Sequence, residues 1–229
     1  MIGLVRHITL AVGVNNMLGA LPTPTVEISA HAQAWADMVA KIGNDIAGYS
    51  EVSVLAAIDA EPDFDPNYNN TKQWTEAYSQ RGVGGYYNFG STDGYPGSAP
   101  GDPTPVVPRP FDTCCSAWRV DQLYHVSYGI SAAFSLPEIY MPQFAREWNR
   151  VKRWSIESQQ SLPLSFSGEM SECKTSPCGQ TTSTVFFNEE EAWRVFWLEI
   201  NGDPDTRQNL INSTDITCSN ANKGSGCRP

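Results

Sequence analysis

The sequence has few charged side chains, few histidines and no long apolar run. Asp, Glu, Lys and Arg make up 17% of its 229 residues, below the roughly 25% of an ordinary soluble domain. No apolar segment approaches the ~20 residues that a membrane-spanning helix needs, so we expect no membrane insertion. The three histidines are scattered along the chain, which argues against a histidine-based metal centre. We therefore expect neither a metal nor another cofactor.

Basic residues are scarce as well. The 15 Lys and Arg are outnumbered by 25 Asp and Glu, which gives a formal net charge of −10. A surface of that sign repels phosphate backbones and anionic lipid headgroups, so we expect no nucleic-acid partner and no charged membrane surface. The chain also lacks a G-x-S-x-G nucleophile elbow and a P-loop, which removes two common catalytic motifs.

Cysteine is present in pairs within Ser-, Thr-, Gly- and Pro-rich segments. The pairs are Cys114 and Cys115, Cys173 and Cys178, and Cys218 and Cys227. Buried free thiols normally lie in apolar segments, and the C-x-x-C spacing of zinc sites is absent. We interpret these cysteines as disulfides, which indicates an oxidising compartment and a secreted or extracellular protein. Two pairs would close short loops, whereas Cys114 and Cys115 would bridge each other or pair elsewhere. No leader peptide is recognisable, so we expect one to precede Met1.

Apolar patterning alternates between short strand-like runs and helix-like stripes. Six runs predict strands, at 8–14, 52–58, 85–89, 123–128, 136–140 and 162–170. Apolar residues at helical spacing predict helices from Ser29, around Trp74, from Pro142 and from Asn188. The first run, Ile8–Val14, is continuously apolar and predicts a strand buried on both faces. Strands alternating with amphipathic helices are typical of a parallel sheet with helices outside it.

Polar residues follow most of these runs, at the edge where the active sites of (β/α)8 barrels lie. We therefore predict an α/β protein with a TIM-type (β/α)8 barrel, as a single domain over residues 1–229. Residues 91–117 would be a long inserted loop, and a disulfide-held tail would start at about residue 202. Because six strands are visible and eight are needed, we expect the first two βα units to precede Met1. The open barrel edge would favour a homodimer.

Seven motifs occur in order along the chain. They are HAQAWADMV (His31–Val39), AAIDAEPDF (Ala56–Phe64), YYNFGSTDGYP (Tyr86–Pro96), YHVSYG (Tyr124–Gly129), LPEIY (Leu136–Tyr140), LSFSGEM (Leu164–Met170) and STDIT (Ser213–Thr217). This order resembles a family of secreted, mostly uncharacterised bacterial proteins with a glycoside-hydrolase-like (β/α)8 barrel. The resemblance spans most of the chain and implies two further amino-terminal strands. Its motifs indicate the family more strongly than the function, because fold alone does not define mechanism.

Three carboxylates are the candidate catalytic groups. Asp59 and Glu61 lie two residues apart at the end of a predicted strand, so they point to the same side. Glu138 lies in an apolar segment, where an unpaired carboxylate would be costly. Glycoside hydrolysis needs a proton donor and a second carboxylate across the scissile bond, and repulsion from Asp59 would raise the pKa of Glu61. The structural alternatives are a helix cap or an ion pair for each of these groups.

On the barrel alignment that the resemblance implies, Glu61 and Glu138 would end strands four and seven. That placement is similar to the acid/base and the nucleophile of the large retaining barrel-hydrolase clan. Ala60 departs from that clan, which has Asn just before its strand-four Glu. Glu169 is a further candidate for a catalytic carboxylate, ranked below Glu61 and Glu138; the alternative is a solvated group near a strand end.

Six further residues are candidate sugar-binding groups: Asn15, Tyr87, Asn88, Tyr95, Tyr128 and Tyr140. Aromatic faces stack on sugar C–H surfaces, and amides bind hydroxyl groups, although packing and loop capping would explain the same residue types. The sequence thus predicts a secreted glycoside hydrolase that cleaves a polysaccharide, such as one of a cell wall. The alternative is a non-catalytic carbohydrate-binding or cell-surface protein. The sugar, the linkage and the choice between retention and inversion stay open.

Overall fold

Strands and helices alternate along the chain in a computed structural model. It describes residues 7–14, 21–22, 25–62, 64–92, 118–172, 187, 189–210 and 212–216. The strands are β1 (Ile8–Val14), β2 (Val52–Ile58), β3 (Tyr86–Asn88), β4 (Ala133–Ser135), β5 (Gly168–Glu172) and β6 (Asn212–Ile216). The α-helices are α1 (Ile28–Asp45), α2 (Tyr68–Gln80), α3 (Val120–Tyr124), α4 (Pro142–Glu157) and α5 (Glu189–Asn201). A 3-10 turn (Thr25–Glu27) precedes α1, and a π-helix (His125–Gly129) continues α3.

All paired strands run parallel, and they follow one another in chain order. β1 to β4 form a four-stranded sheet, while β5 and β6 form a two-stranded sheet. Single bridges, Ser135 with Phe166 and Glu138 with Met170, connect the two sheets. Because the strands are parallel and in register, their carboxyl ends share one edge.

The predicted (β/α)8 barrel is wrong. The residues that the structure describes contain six strands in two sheets, and they form no closed barrel. Closing a parallel barrel takes eight strands that tilt together and pair on both sides, whereas β1 and β6 each have one hydrogen-bonded neighbour within these ranges. The α/β class, with parallel strands and alternating helices, is confirmed.

β1 forms where it was predicted, but it is not buried. Ile8 and Leu10 are 58% and 46% exposed, because β1 is the outermost strand of the described sheet. Its side chains alternate between the two faces, and β2 pairs with only one of its edges. An uncharged apolar edge strand is a surface on which other strands can pair, so the predicted homodimer stays a prediction.

The second half of the chain departs from the predicted strand positions. Residues 123–128 form the end of α3 and most of the π-helix instead of a strand. β4 ends before the predicted strand at 136–140, and β5 covers only the end of 162–170. β6 lies in the segment predicted to be a tail. Short apolar runs fit a strand or a buried helix equally well, and long-range pairing decides between them.

The helices pack on one face of the sheet and build the main core. In α1 the buried residues Ile28, Ala32, Ala36 and Val39 recur every three to four positions. In α4, Phe144, Trp148 and Val151 do the same. A smaller cluster on the opposite face of the sheet contains Ala57, Phe89 and Met170. The six cysteines, and with them the predicted disulfides, lie outside the described residues.

Candidate functional site

The backbone between Asp59 and Glu61 is clamped by one side chain. The Asn88 amide, at the end of β3, accepts a hydrogen bond from Ala60 N (2.9 Å) and donates one to Ala60 O (3.1 Å). Its Oδ1 also accepts from Gly90 N (3.1 Å), and its Nδ2 donates to Ser127 Oγ (2.7 Å). These four bonds use the full capacity of an amide side chain. Asn88 therefore holds the two carboxylates in place, which is a different role from the predicted binding of a sugar hydroxyl.

The π-helix supports this clamp from the helix layer. It supplies the Ser127 hydroxyl to Asn88 and the Val126 carbonyl to the Tyr86 hydroxyl (2.8 Å). Burial lowers the pKa of His125 in the same segment, an effect that the nearby Glu76 carboxylate opposes. Single π-turns inside helices are frequent at functional sites. Here the π-turn delivers two polar groups to β3 from one short segment.

Glu61 is fixed by the backbone that follows β3. The Ser91 amide donates to Glu61 Oε2 at 2.6 Å, a short bond typical of a charged or strongly polarised acceptor. Gly90 makes this approach possible, because a Cβ at that position would lie 2.8 Å from the Ala60 carbonyl oxygen. Because Gly90 has no side chain, the segment after β3 can touch the segment after β2.

Glu138 lies three residues beyond β4, where it forms a bridge with Met170 of β5. Its Oε1 accepts a hydrogen bond from the Tyr140 hydroxyl at 2.7 Å. Backbone bonds from Met170 N to Pro137 O (2.9 Å) and from Ile139 N to Met170 O (2.7 Å) fix the surrounding segment. Glu138 and Tyr140, predicted separately as a catalytic and a sugar-binding residue, are thus brought together.

The register of the sheet places Glu61 and Glu138 at the same number of residues beyond the ends of β2 and β4. Ile58, Asn88 and Ser135 lie side by side across β2, β3 and β4. Each glutamate comes three residues after the outer member of that row. Neighbouring strands are about 4.8 Å apart, so two steps separate Ile58 from Ser135 by about 10 Å. For comparison, glycoside hydrolysis places its two carboxyl groups about 5–9.5 Å apart.

Buried carboxylates are concentrated near this edge. The exposed fractions are 4% for Asp59, 4% for Glu61, 9% for Glu138, 1% for Glu147 and 0% for Glu169. Glu169 accepts a hydrogen bond from Ser213 Oγ at 2.5 Å. Burial disfavours the charged form of a carboxylate unless hydrogen bonds or opposite charges compensate. Such a concentration is unusual in a structural core, where acidic residues are rarely fully buried.

Glu147 was missed by the sequence reasoning, although a signal for it existed. It lies three residues after Phe144 and four before Val151, on the apolar face of α4. A carboxylate on the buried face of an amphipathic helix breaks the pattern and indicates a polar partner inside the protein. That partner, Thr92, follows β3 in a segment read only as a loop.

The remaining predicted sugar-binding residues are dispersed. Tyr87 contacts Phe134 on the face of the small cluster, with ring centroids 6.0 Å apart. Tyr128 packs edge-on against Tyr124 in the helix layer, at 6.3 Å. Asn15 and Tyr95 lie outside the described residues.

The described part of the chain contains no group of three or more His, Cys, Asp or Glu side chains arranged to hold a metal ion. No helix in that part is long and apolar enough to cross a membrane.

Comparison with known proteins identifies no relative. No family model, no curated protein and no solved structure matches the chain.

Proposed function

We propose that the chain is a secreted glycoside hydrolase that cleaves a polysaccharide, with Glu61 and Glu138 as its carboxylate pair. The observation that carries the proposal is the matched position of the two glutamates. Both are buried, both follow strands at the same edge, and one strand separates those strands. Asp59 lies beside Glu61 and orients or tunes it.

The hydrogen bonds suggest a role for each glutamate. Glu61 Oε2 accepts the Ser91 amide, which fixes the orientation of the carboxyl group. That bond stabilises a charged Glu61, whereas burial and repulsion from the adjacent Asp59 favour its protonated form. Glu138 accepts the Tyr140 hydroxyl, and such a bond stabilises a carboxylate. Asp59 distinguishes the two glutamates, so we assign Glu61 as the general acid and Glu138 as the nucleophile or the general base.

The bond changes balance with water as the only co-reactant. Glu61 protonates the glycosidic oxygen as its bond to the anomeric carbon breaks. Glu138 either attacks that carbon, giving a glycosyl ester that water then hydrolyses, or removes a proton from the attacking water. In both routes the products are a free hydroxyl group and a new reducing end.

The test is the release of reducing ends from plant, fungal and bacterial wall polysaccharides. Glu61→Gln and Glu138→Gln should each lower kcat by about 10²- to 10⁴-fold, because each removes one proton-transfer or nucleophilic group. The control is Glu51→Gln, an exposed glutamate just before the amino end of β2, which should leave the rate unchanged. Full activity in either site variant would overturn the assignment.

The alternative, a non-catalytic carbohydrate-binding protein, predicts a different outcome of the same experiment. It expects saturable binding to a polysaccharide with no release of reducing ends from any member of the panel. Titration calorimetry of the wild type with the soluble polymers separates the two proposals.

A further inference from the structure

A second buried carboxylate is connected to the segment that holds Glu61. Glu147 Oε2 accepts a hydrogen bond from Thr92 Oγ1 at 2.5 Å, and its Oε1 accepts one from Gln143 Nε2 at 2.6 Å. Glu147 is 1% exposed and Thr92 is fully buried. Short bonds to a carboxylate in such surroundings are stronger than bonds between neutral groups.

Thr92 is the chain neighbour of Ser91, whose amide contacts Glu61. The two consecutive residues are therefore held from two sides, Ser91 by Glu61 and Thr92 by Glu147 on α4. The direction of the Ser91 N–H depends on the backbone angles on either side of it. Fixing the Thr92 side chain limits those angles, as does the contact of Gly90 with Ala60.

We propose that Glu147 is a positioning residue for Glu61, acting through Thr92 and the Ser91 amide. The hydrogen-bonded link from Glu147 to Glu61 does not depend on the function of the protein, whereas its effect on catalysis rests on the proposed hydrolase function. A buried carboxylate that only satisfied its own helix would have no effect on Ser91. If Glu147 is a positioning residue, the chemical shift of the Ser91 amide proton changes when the Glu147 carboxylate is removed.

The experiment follows the Ser91 amide proton by two-dimensional NMR. An amide that donates to a carboxylate resonates downfield, so Glu147→Leu should move the Ser91 signal upfield. Glu147→Gln keeps an oxygen for the Thr92 hydroxyl and should restore most of the wild-type position. The matched control, Glu157→Leu, removes a half-exposed glutamate from the last turn of the same helix and should leave Ser91 unchanged.

Thr92→Val keeps the test decisive if Glu147→Leu does not fold. It removes the hydroxyl from the other side of the same bond and should give the same upfield movement. An unmoved Ser91 signal in every folded variant that breaks this bond would overturn the proposal.

Activity on the polysaccharide found in the assay above supplies the second readout. Displacement of a reacting group by about 1 Å can cost on the order of 10²-fold, so kcat should fall about 10- to 100-fold with KM nearly unchanged. A moved Ser91 signal with wild-type kcat would overturn the positioning role. A moved Ser91 signal in a protein that cleaves nothing would reject the hydrolase proposal and leave the geometric link supported.

Discussion

Asn88 and Ala60 are joined by a reciprocal pair of hydrogen bonds, in which the side-chain amide occupies both the N–H and the C=O of Ala60. The asparagine thus pairs with backbone as a neighbouring strand would, at a point where the chain has left β2. This pairing holds Asp59 and Glu61 beyond the end of the sheet.

Replacement of Asn88 by Ala should destabilise the protein strongly. The buried N–H groups of Ala60 and Gly90 would lose their acceptor, at about 1–3 kcal/mol for each unsatisfied group. We expect the free energy of unfolding in urea to fall by about 3 kcal/mol or more. Asn67→Ala is the control, because Asn67 caps α2 through a bond from Asn69 N and makes one exposed bond to Asn70 Oδ1. Its loss should cost about 1 kcal/mol. Equal losses in the two variants would contradict the clamp.

A methyl group at Gly90 should disturb the site. The added Cβ would meet the Ala60 carbonyl oxygen at 2.8 Å and the Glu61 Cβ at 3.1 Å, so the Asp59–Glu61 segment must shift. We expect Gly90→Ala to fold less stably and to lose at least 10-fold in the rate of reducing-end release.

The control for this substitution is Gly43→Ala, within α1. A Cβ at Gly43 meets nothing within 4 Å, and Ala is favoured over Gly in helices by about 0.5–1 kcal/mol. Gly43→Ala should therefore raise stability and leave activity unchanged. If Gly90→Ala were equally harmless, the tight packing between the two loops would be refuted.

Lys152 should make stability depend on pH in the alkaline range. Burial lowers the pKa of Lys152 to about 8, against about 10.4 in an unfolded chain. Between these values the unfolded chain binds a proton that the folded protein does not, so stability rises with pH. Relative to that of Lys152→Met, the free energy of unfolding of the wild type should increase by up to about 3 kcal/mol from pH 8 to pH 10.5.

Urea unfolding at several pH values measures this difference. Lys41→Met is the matched control, because the Lys41 side chain is 73% exposed and pairs with Asp45 on the surface. Lys41→Met gives the effect of removing a surface lysine over the same range. A flat difference for Lys152→Met would mean that the lysine is not desolvated in solution.

The cysteines should be oxidised in the natural protein. Protein purified from an oxidising compartment should show no reactive thiols in denaturant and six after reduction. Thiol titration before and after reduction gives the count, and peptide mapping gives the pairing. Six reactive thiols before reduction would argue against disulfides and against secretion.

Much of the first half of the fold could be predicted from sequence because its signals are local. The apolar runs of β1 and β2 are seven residues long and end at polar residues. The buried stripe of α1, from Ile28 to Val39, repeats over about three turns. Such patterns follow from side-chain periodicity, which depends on the backbone of one element alone.

The second half could not be predicted in the same way. Residues 123–128 have an apolar pattern that fits a strand, yet they form helix. Tyr86 and Asn88 on β3 bind the Val126 carbonyl and the Ser127 hydroxyl of this helix, contacts that no local pattern encodes. β4 is three residues long and has no periodicity of its own to detect. Pairing with β3 creates it, and no local pattern encodes that partner.

The α/β class, the first strands and the placement of Asp59 and Glu61 after a strand could be predicted from local signals, because chain periodicity and strand ends are local properties. The fold of the described residues added that their strands form no closed barrel, that β1 is exposed and that Glu147 reaches Thr92. Those outcomes depend on contacts between residues far apart in the chain. Glu147 and Thr92 are 55 positions apart, and their hydrogen bond forms only when the segment after β3 meets α4.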